Sequence, residues 1–233
     1  MFAASPESLL PRSAVWRSQN RDALAAYSSV SVATGFTELD VLLPGSGWPV
    51  GALTEIFVER PGIGELQLLM PAAAQLTQDA RWLAMIAPPY APHAPALAAC
   101  GVHLNQVLVL RPQSPDEQVR ACEQLLESGY CGAVLMWLDQ AQDCVLRRLQ
   151  HAAERSNALV VLYRSQRAQP FAAAALRLHI SKTDGRTVIQ VLKRRGGGVP
   201  SPVKLDLHGS LTRRPLPAPP LRIVNPPSLQ TAH

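Results

Sequence analysis

An α/β domain on a mainly parallel central sheet, continued by antiparallel strands towards the C-terminus, is the fold class that the sequence predicts. Three observations carry it. From Ala52 onward, short apolar runs alternate with helical patterns. Two of those runs, CGAVLMWLD and ALVVLYR, are almost continuously apolar, as strands buried on both faces are. After Arg164 the rhythm changes to AAALRLHIS, TVIQVLKR and PVKLDLHG, joined by TDGR and GGGVPS with no helix between them, which predicts the antiparallel extension.

The elements follow in order. ALTEIF reads as a strand, GELQLLMPAAAQLTQ as a helix that Pro71 kinks or shortens, WLAMIA as a strand, HAPALAAC as a short helix and QVLVL as a strand. SPDEQVRACEQLLESG carries the clearest punctuation: Ser114 suits an N-cap, Pro115 the first helical position, Glu117 closes a capping box and Gly129 ends the helix. Val119, Cys122, Leu125 and Leu126 fall on one face at helical spacing. DCVLRRLQHAAERSN is a further helix between the two apolar strands, and Trp82 and Trp137 are expected to pack in the core.

With 233 residues the chain holds one well-buried domain with extensions. Residues 1–33 read as an N-terminal extension, 34–209 as the core domain, and 210–233 as a Pro-rich tail, disordered or extended, with apolar islands at Leu216 and from Leu221 to Val224. No apolar run reaches the ~18 residues of a membrane span, and MFAASPESLLPR lacks the pattern of a secretory signal, so a soluble cytoplasmic protein is expected. Cys100, Cys122, Cys131 and Cys144 form no C-x-x-C pair and are expected to be buried structural thiols; the six histidines are scattered, and no G-x-S-x-G is present. The net charge of +5 permits contact with nucleic acid without establishing it.

The stretch ERPGIGELQLL lies where a strand runs into a helix, as a phosphate-binding loop would. Against G-x-x-x-x-G-K-[ST], Glu59 stands at the first glycine, Gly64 at the second, Glu65 at the lysine and Leu66 at the hydroxyl position. Two unit charges ~4 Å apart interact by about 4 kcal/mol at an effective dielectric of ~20, so glutamate for lysine turns attraction for a phosphate into repulsion of similar size. Nucleotide binding in the usual way is therefore not expected, and no cofactor or metal is.

Thr34 to Phe57, TGFTELDVLLPGSGWPVGALTEIF, resembles the opening of the RecA recombinase core, and the likeness continues in order to about residue 209. The resemblance implies a RecA-like P-loop NTPase core with a degenerate nucleotide site. Within that superfamily the APPYAP segment, the tryptophan of LMWL and the missing lysine resemble ImuA, an accessory of translesion synthesis in the SOS response. That likeness implies a non-catalytic protein with an ImuB-like Y-family polymerase homologue and RecA as partners, an error-prone C-family polymerase reached indirectly, weak DNA contact, and a place at the nucleoid when DNA is damaged. Departures from RecA argue against an enzyme. Pro89 stands where RecA has its catalytic glutamate and Ser165 where it has its sensor glutamine, while Asp139, at the Walker-B position, has no evident magnesium to serve and equally suits a helix cap. Both DNA-binding loops are short.

Two other functions stay open. One is a cell division inhibitor like SulA, which by resemblance shares the nucleotide-free core and caps the tubulin-like division protein; the other is a DNA-dependent ATPase of the RecA family. Candidate contact residues are Lys193, Arg194 and Arg195, read either as a solvated strand end or as a partner or phosphate contact; Trp16, either folded back on the core or an interface anchor; and Arg213, Arg214, Leu221 and Ile223 in a tail that serves as linker or docking peptide.

Overall fold

The computed structural model describes residues 30–196 and 198–207 together with the backbone of Arg222–Val224. Its elements in chain order are β1 (Ser31–Val32), α1 (Thr37–Asp40), β2 (Trp48–Pro49), β3 (Ala52–Val58), α2 (Met70–Gln78), β4 (Trp82–Ile86), α3 (Ala94–Ala99), β5 (Val107–Leu110), α4 (Pro115–Glu127), β6 (Cys131–Trp137), α5 (Asp143–Arg155), β7 (Leu159–Ser165), β8 (Leu176–Thr183), β9 (Arg186–Arg194), β10 (Val203–Leu205) and β11 (Arg222–Val224). A nine-stranded sheet has the order β10-β9-β8-β3-β7-β6-β4-β5-β11. Every neighbouring pair from β8 across to β11 is parallel, and β9 runs antiparallel to both its neighbours. β1 and β2 form a separate two-stranded ribbon.

Burial on both faces explains the composition of the central strands. All seven residues of β3 are buried. Successive residues alternate between two apolar clusters: Leu83 and Met85 of β4 join one with Met70, Ala73 and Leu76 of α2, while Ala84 and Ile86 join the other with Val119, Cys122 and Leu126 of α4 and Leu146, Leu149 and Ala153 of α5. Helices on both faces are what parallel strands need for their crossovers.

Local chemistry sets the ends of the helices. At α4, Ser114 Oγ accepts from the Glu117 N–H at 3.3 Å, and Glu117 Oε2 accepts from the Gln113 N–H at 2.7 Å, one residue before the N-cap amide that a capping box uses. Gly129 follows the helix at φ +72°, where a glycine pays no Cβ penalty. Pro71 is the second residue of α2, which a 3-10 turn at Gln67–Leu69 precedes. A proline in a first helical turn removes no intrahelical bond, so it sets the start of the helix and leaves no kink.

Several expectations are revised. Arg222–Val224, in the tail read as disordered or extended, is extended and pairs in parallel with Leu108–Leu110 at the edge of the sheet. Cys122 and Cys131 are buried, whereas Cys100 is half-buried and Cys144, in the first turn of α5, is exposed. Trp16, Arg213, Arg214 and Leu221 lie outside the described residues, and of Ile223 only the backbone is described. Among the described residues no helix is long and apolar enough to cross a membrane.

Candidate functional site

The segment after β3 leaves the sheet at the C-terminal ends of the parallel strands, where open α/β sheets bring loops together. Gly62 and Gly64 take φ values of +86° and +109°. At Gly64 a side chain is also excluded by space, because a Cβ would lie 2.8 Å from Leu207 Cδ1 and 3.3 Å from Thr187 Oγ1. The turn they allow folds Glu65 back on its own loop. Its two carboxylate oxygens accept from the Gly62 N–H at 2.8 and 3.1 Å, and the residue is only 5% exposed. Tyr163 Oη donates to the Glu65 carbonyl at 3.0 Å, and the Tyr163 ring stacks on Trp137 with centroids 4.7 Å apart. Burial, and then the nearby Glu65 charge, holds the Tyr163 phenol well above its ordinary range.

A cavity of about 340 Å³ opens beside this loop, lined by residues 62–67 and 88–93 with Trp137, Lys182 and Thr187. Trp137, expected in the core, is half-buried on its wall, with Nε1 shielded from solvent and without a hydrogen-bond partner among the described residues. Leu66 is half-buried against the core, whereas Glu59 and Pro89 are exposed, Pro89 on the cavity wall. The loop thus brings Gly64, Glu65 and Leu66 together with Pro89, but an acid from the chain itself takes the Gly62 amide.

Behind the loop lies an ionic cluster that the sequence reading passed over. Glu55, fully buried in β3, receives Arg164 Nη1 at 2.7 Å, Arg177 Nε at 2.9 Å and the Phe171 N–H at 3.1 Å. Arg164 also donates to the carbonyls of Gln169 at 2.7 Å and Asp139 at 3.0 Å, and Arg177 to that of Phe171. The three charged side chains thereby fasten the 166–175 segment to the sheet. A single charge inside each of the runs ALTEIF and ALVVLYR was the available signal, since a charge buried in a strand needs a partner.

The remaining candidates are dispersed. Asp139 caps no helix: its Oδ1 accepts from the Ser165 N–H at 2.5 Å, joining the ends of β6 and β7, and the N-cap of α5 is Gln142. Arg194 is turned inward, donating to the carbonyls of Gly198 and Leu42, because strand alternation after a register shift in β8 and β9 places it on the core face. Lys193 is half-buried and donates to the Ala172 carbonyl; burial, followed by the facing Arg177, holds its ammonium below the usual range. Of the three basic residues only Arg195 is exposed.

Comparison with known proteins bears on this region. The family model described as Cell division inhibitor SulA matches residues 51–160. The chain is 34% identical over 128 residues to the Cell division inhibitor SulA of Edwardsiella piscicida, covering 53% of this chain and 76% of that protein. It is 30% identical over 117 residues to that of Serratia marcescens, covering 50% and 70%, and 35% identical over 92 residues to that of Yersinia pestis (strain Pestoides F), covering 40% and 55%. These matches overturn the resemblance to ImuA. With it fall the translesion and SOS mutagenesis role, the ImuB-like, RecA and error-prone polymerase partners, the DNA contact and the place at the nucleoid. The landmarks behind the error belong to a core that both families were expected to share. The features matched to ImuA, APPYAP, Trp137 and Glu65 in the place of a lysine, all lie within the residues that the SulA model matches.

Proposed function

This chain belongs to the SulA family of cell division inhibitors, and we propose that it blocks division from the cytoplasm, without catalysis, by binding the tubulin-like division protein FtsZ. The observation that carries the proposal is the reach of the match. Residues 51–160 run from the start of β3 to the start of β7 and supply every lining residue of the 340 Å³ cavity except Lys182 and Thr187. The rim around that cavity is the surface we assign to the partner.

The absence of catalysis in this reading is supported by the loop itself. Its Gly62 amide is occupied by Glu65, and a phosphate brought to it would meet the Glu65 carboxylate in a poorly solvated setting. We also carry the RecA-like reading of the core as part of this proposal, supported by the parallel strand order and by the position of the loop after β3.

Expression in a dividing bacterium tests the proposal. Cells are expected to elongate into filaments without septa while DNA replication continues. Normal cell length at a readily detected level of the protein contradicts it. Calorimetric titration with ATP and Mg²⁺ is expected to give no binding heat.

A further inference from the structure

The cavity wall carries a buried acid that has no counter-charge among the described residues. Among the described residues the Glu65 carboxylate accepts from a single backbone N–H, and no cation lies within ion-pair distance of it. An ionised carboxylate offers about four acceptor sites, and leaving most of them unused away from water is costly. The indole Nε1–H of Trp137 has no acceptor among the described residues, but it is closed to solvent and therefore to a ligand in the cavity. Around these groups the wall is flat and apolar: Ile63, Pro88, Pro92 and the ring of Tyr90, which is 70% exposed. The cation on the wall, Lys182, is solvent-exposed and unpaired with Glu65.

A ligand that completes this site brings N–H donors to a carboxylate and a flat face to aromatic and proline walls. A phosphate fails on the first count, as does an aliphatic side chain. An arginine meets both, because the guanidinium is a planar fork of five donors that stacks on aromatic faces. The cavity volume, about 340 Å³, lies at the small end of ligand sites, which span ~300–1,000 Å³.

We propose that the cavity is a receptor for one arginine of the partner, whose guanidinium donates to Glu65 and stacks on the proline and Tyr90 wall. The proposal rests on the reading of this rim as the docking surface, yet it is testable without the partner. The probe is Nα-acetyl-L-arginine amide, with the neutral isostere Nα-acetyl-L-citrulline amide as control. Binding is followed by the ¹⁵N–¹H signal of the Trp137 indole in the full chain, assigned by its loss in Trp137→Phe. The arginine probe is expected to move that signal to saturation, with affinity at least tenfold above that of citrulline. Glu65→Gln keeps an acceptor for the Gly62 N–H and removes the charge, so it is expected to abolish the preference while the circular dichroism spectrum is unchanged. An immobile signal, an equal response to citrulline, or full arginine binding by Glu65→Gln overturns the proposal. Arginine binding by a chain that does not bind FtsZ refutes the docking reading and keeps the receptor; FtsZ binding undiminished by Glu65→Gln does the reverse.

Discussion

Replacing Glu55 by alanine tests the ionic cluster that anchors the 166–175 segment. Glu55 and Arg164 have side-chain exposures of 0% and 1%, and Arg177 of 13%. The substitution leaves two guanidinium groups without their counter-charge and the Phe171 N–H without its acceptor. Removing one member of a buried ion pair costs about 3–5 kcal/mol. At roughly 2–4 °C per kcal/mol for a domain of this size, the melting temperature should fall by about 6–20 °C. The assays are thermal and urea unfolding followed by circular dichroism and tryptophan fluorescence. Arg148→Ala serves as the comparison, because it breaks the pair with Glu123 in which the Arg148 side chain is 59% exposed, and such pairs contribute only about 0–1 kcal/mol. A loss in Glu55→Ala no greater than in Arg148→Ala refutes the reasoning.

Other outcomes follow from single groups. Burial, followed by Glu123 and Cys131, pushes the Cys122 thiol up from its usual 9.0 to about 12, and burial, opposed by Arg81, pushes Cys131 to about 11. The unfolded chain gives up these protons first, so this contribution is whole below the usual thiol value and is lost as pH rises towards the folded values, at about 1.4 kcal/mol per pH unit and thiol. Unfolding measured across that window should show a shallower decline in Cys122→Ala; equal slopes contradict the assignment. Tyr163→Phe strips the Glu65 carbonyl of a buried donor and should cost about 1–3 kcal/mol in the same urea assay, a neutral result placing the hydroxyl elsewhere. Ser114→Ala removes the α4 N-cap and should cost about 1 kcal/mol, with no change in FtsZ binding.

Local signals served the fold well where each residue decides its own surroundings. Ser114, Pro115, Glu117 and Gly129 mark α4 because capping is written within a few consecutive residues. The runs CGAVLMWLD and ALVVLYR locate β6 and β7 because strands buried on both faces have little room for polar residues. The ionic cluster escaped because its members lie 109 and 122 positions apart, and only the parallel register brings β3, β7 and β8 together. Trp137 was assigned to the core because it ends an apolar run, although the last residue of a parallel strand is where the sheet opens onto its loops. Part of the site was legible: Glu65 was singled out as an acid in the place of a lysine. That it folds back onto Gly62 depends on the positive φ of Gly62 and Gly64 and on the closeness of Leu207, which no spacing rule conveys. The family was misread because an ordered set of core landmarks identifies what relatives share, and APPYAP, Trp137 and the missing lysine, which were matched to ImuA, lie within the residues that the SulA model matches.

Sedimentation of FtsZ polymers assembled with GTP, in the presence of increasing amounts of the purified chain, tests the central claim most directly. The account predicts that polymer is lost in proportion to the chain added and that the chain is recovered in complex with FtsZ in the supernatant. Undiminished polymer at a several-fold excess of the chain, with no complex recovered, would contradict it.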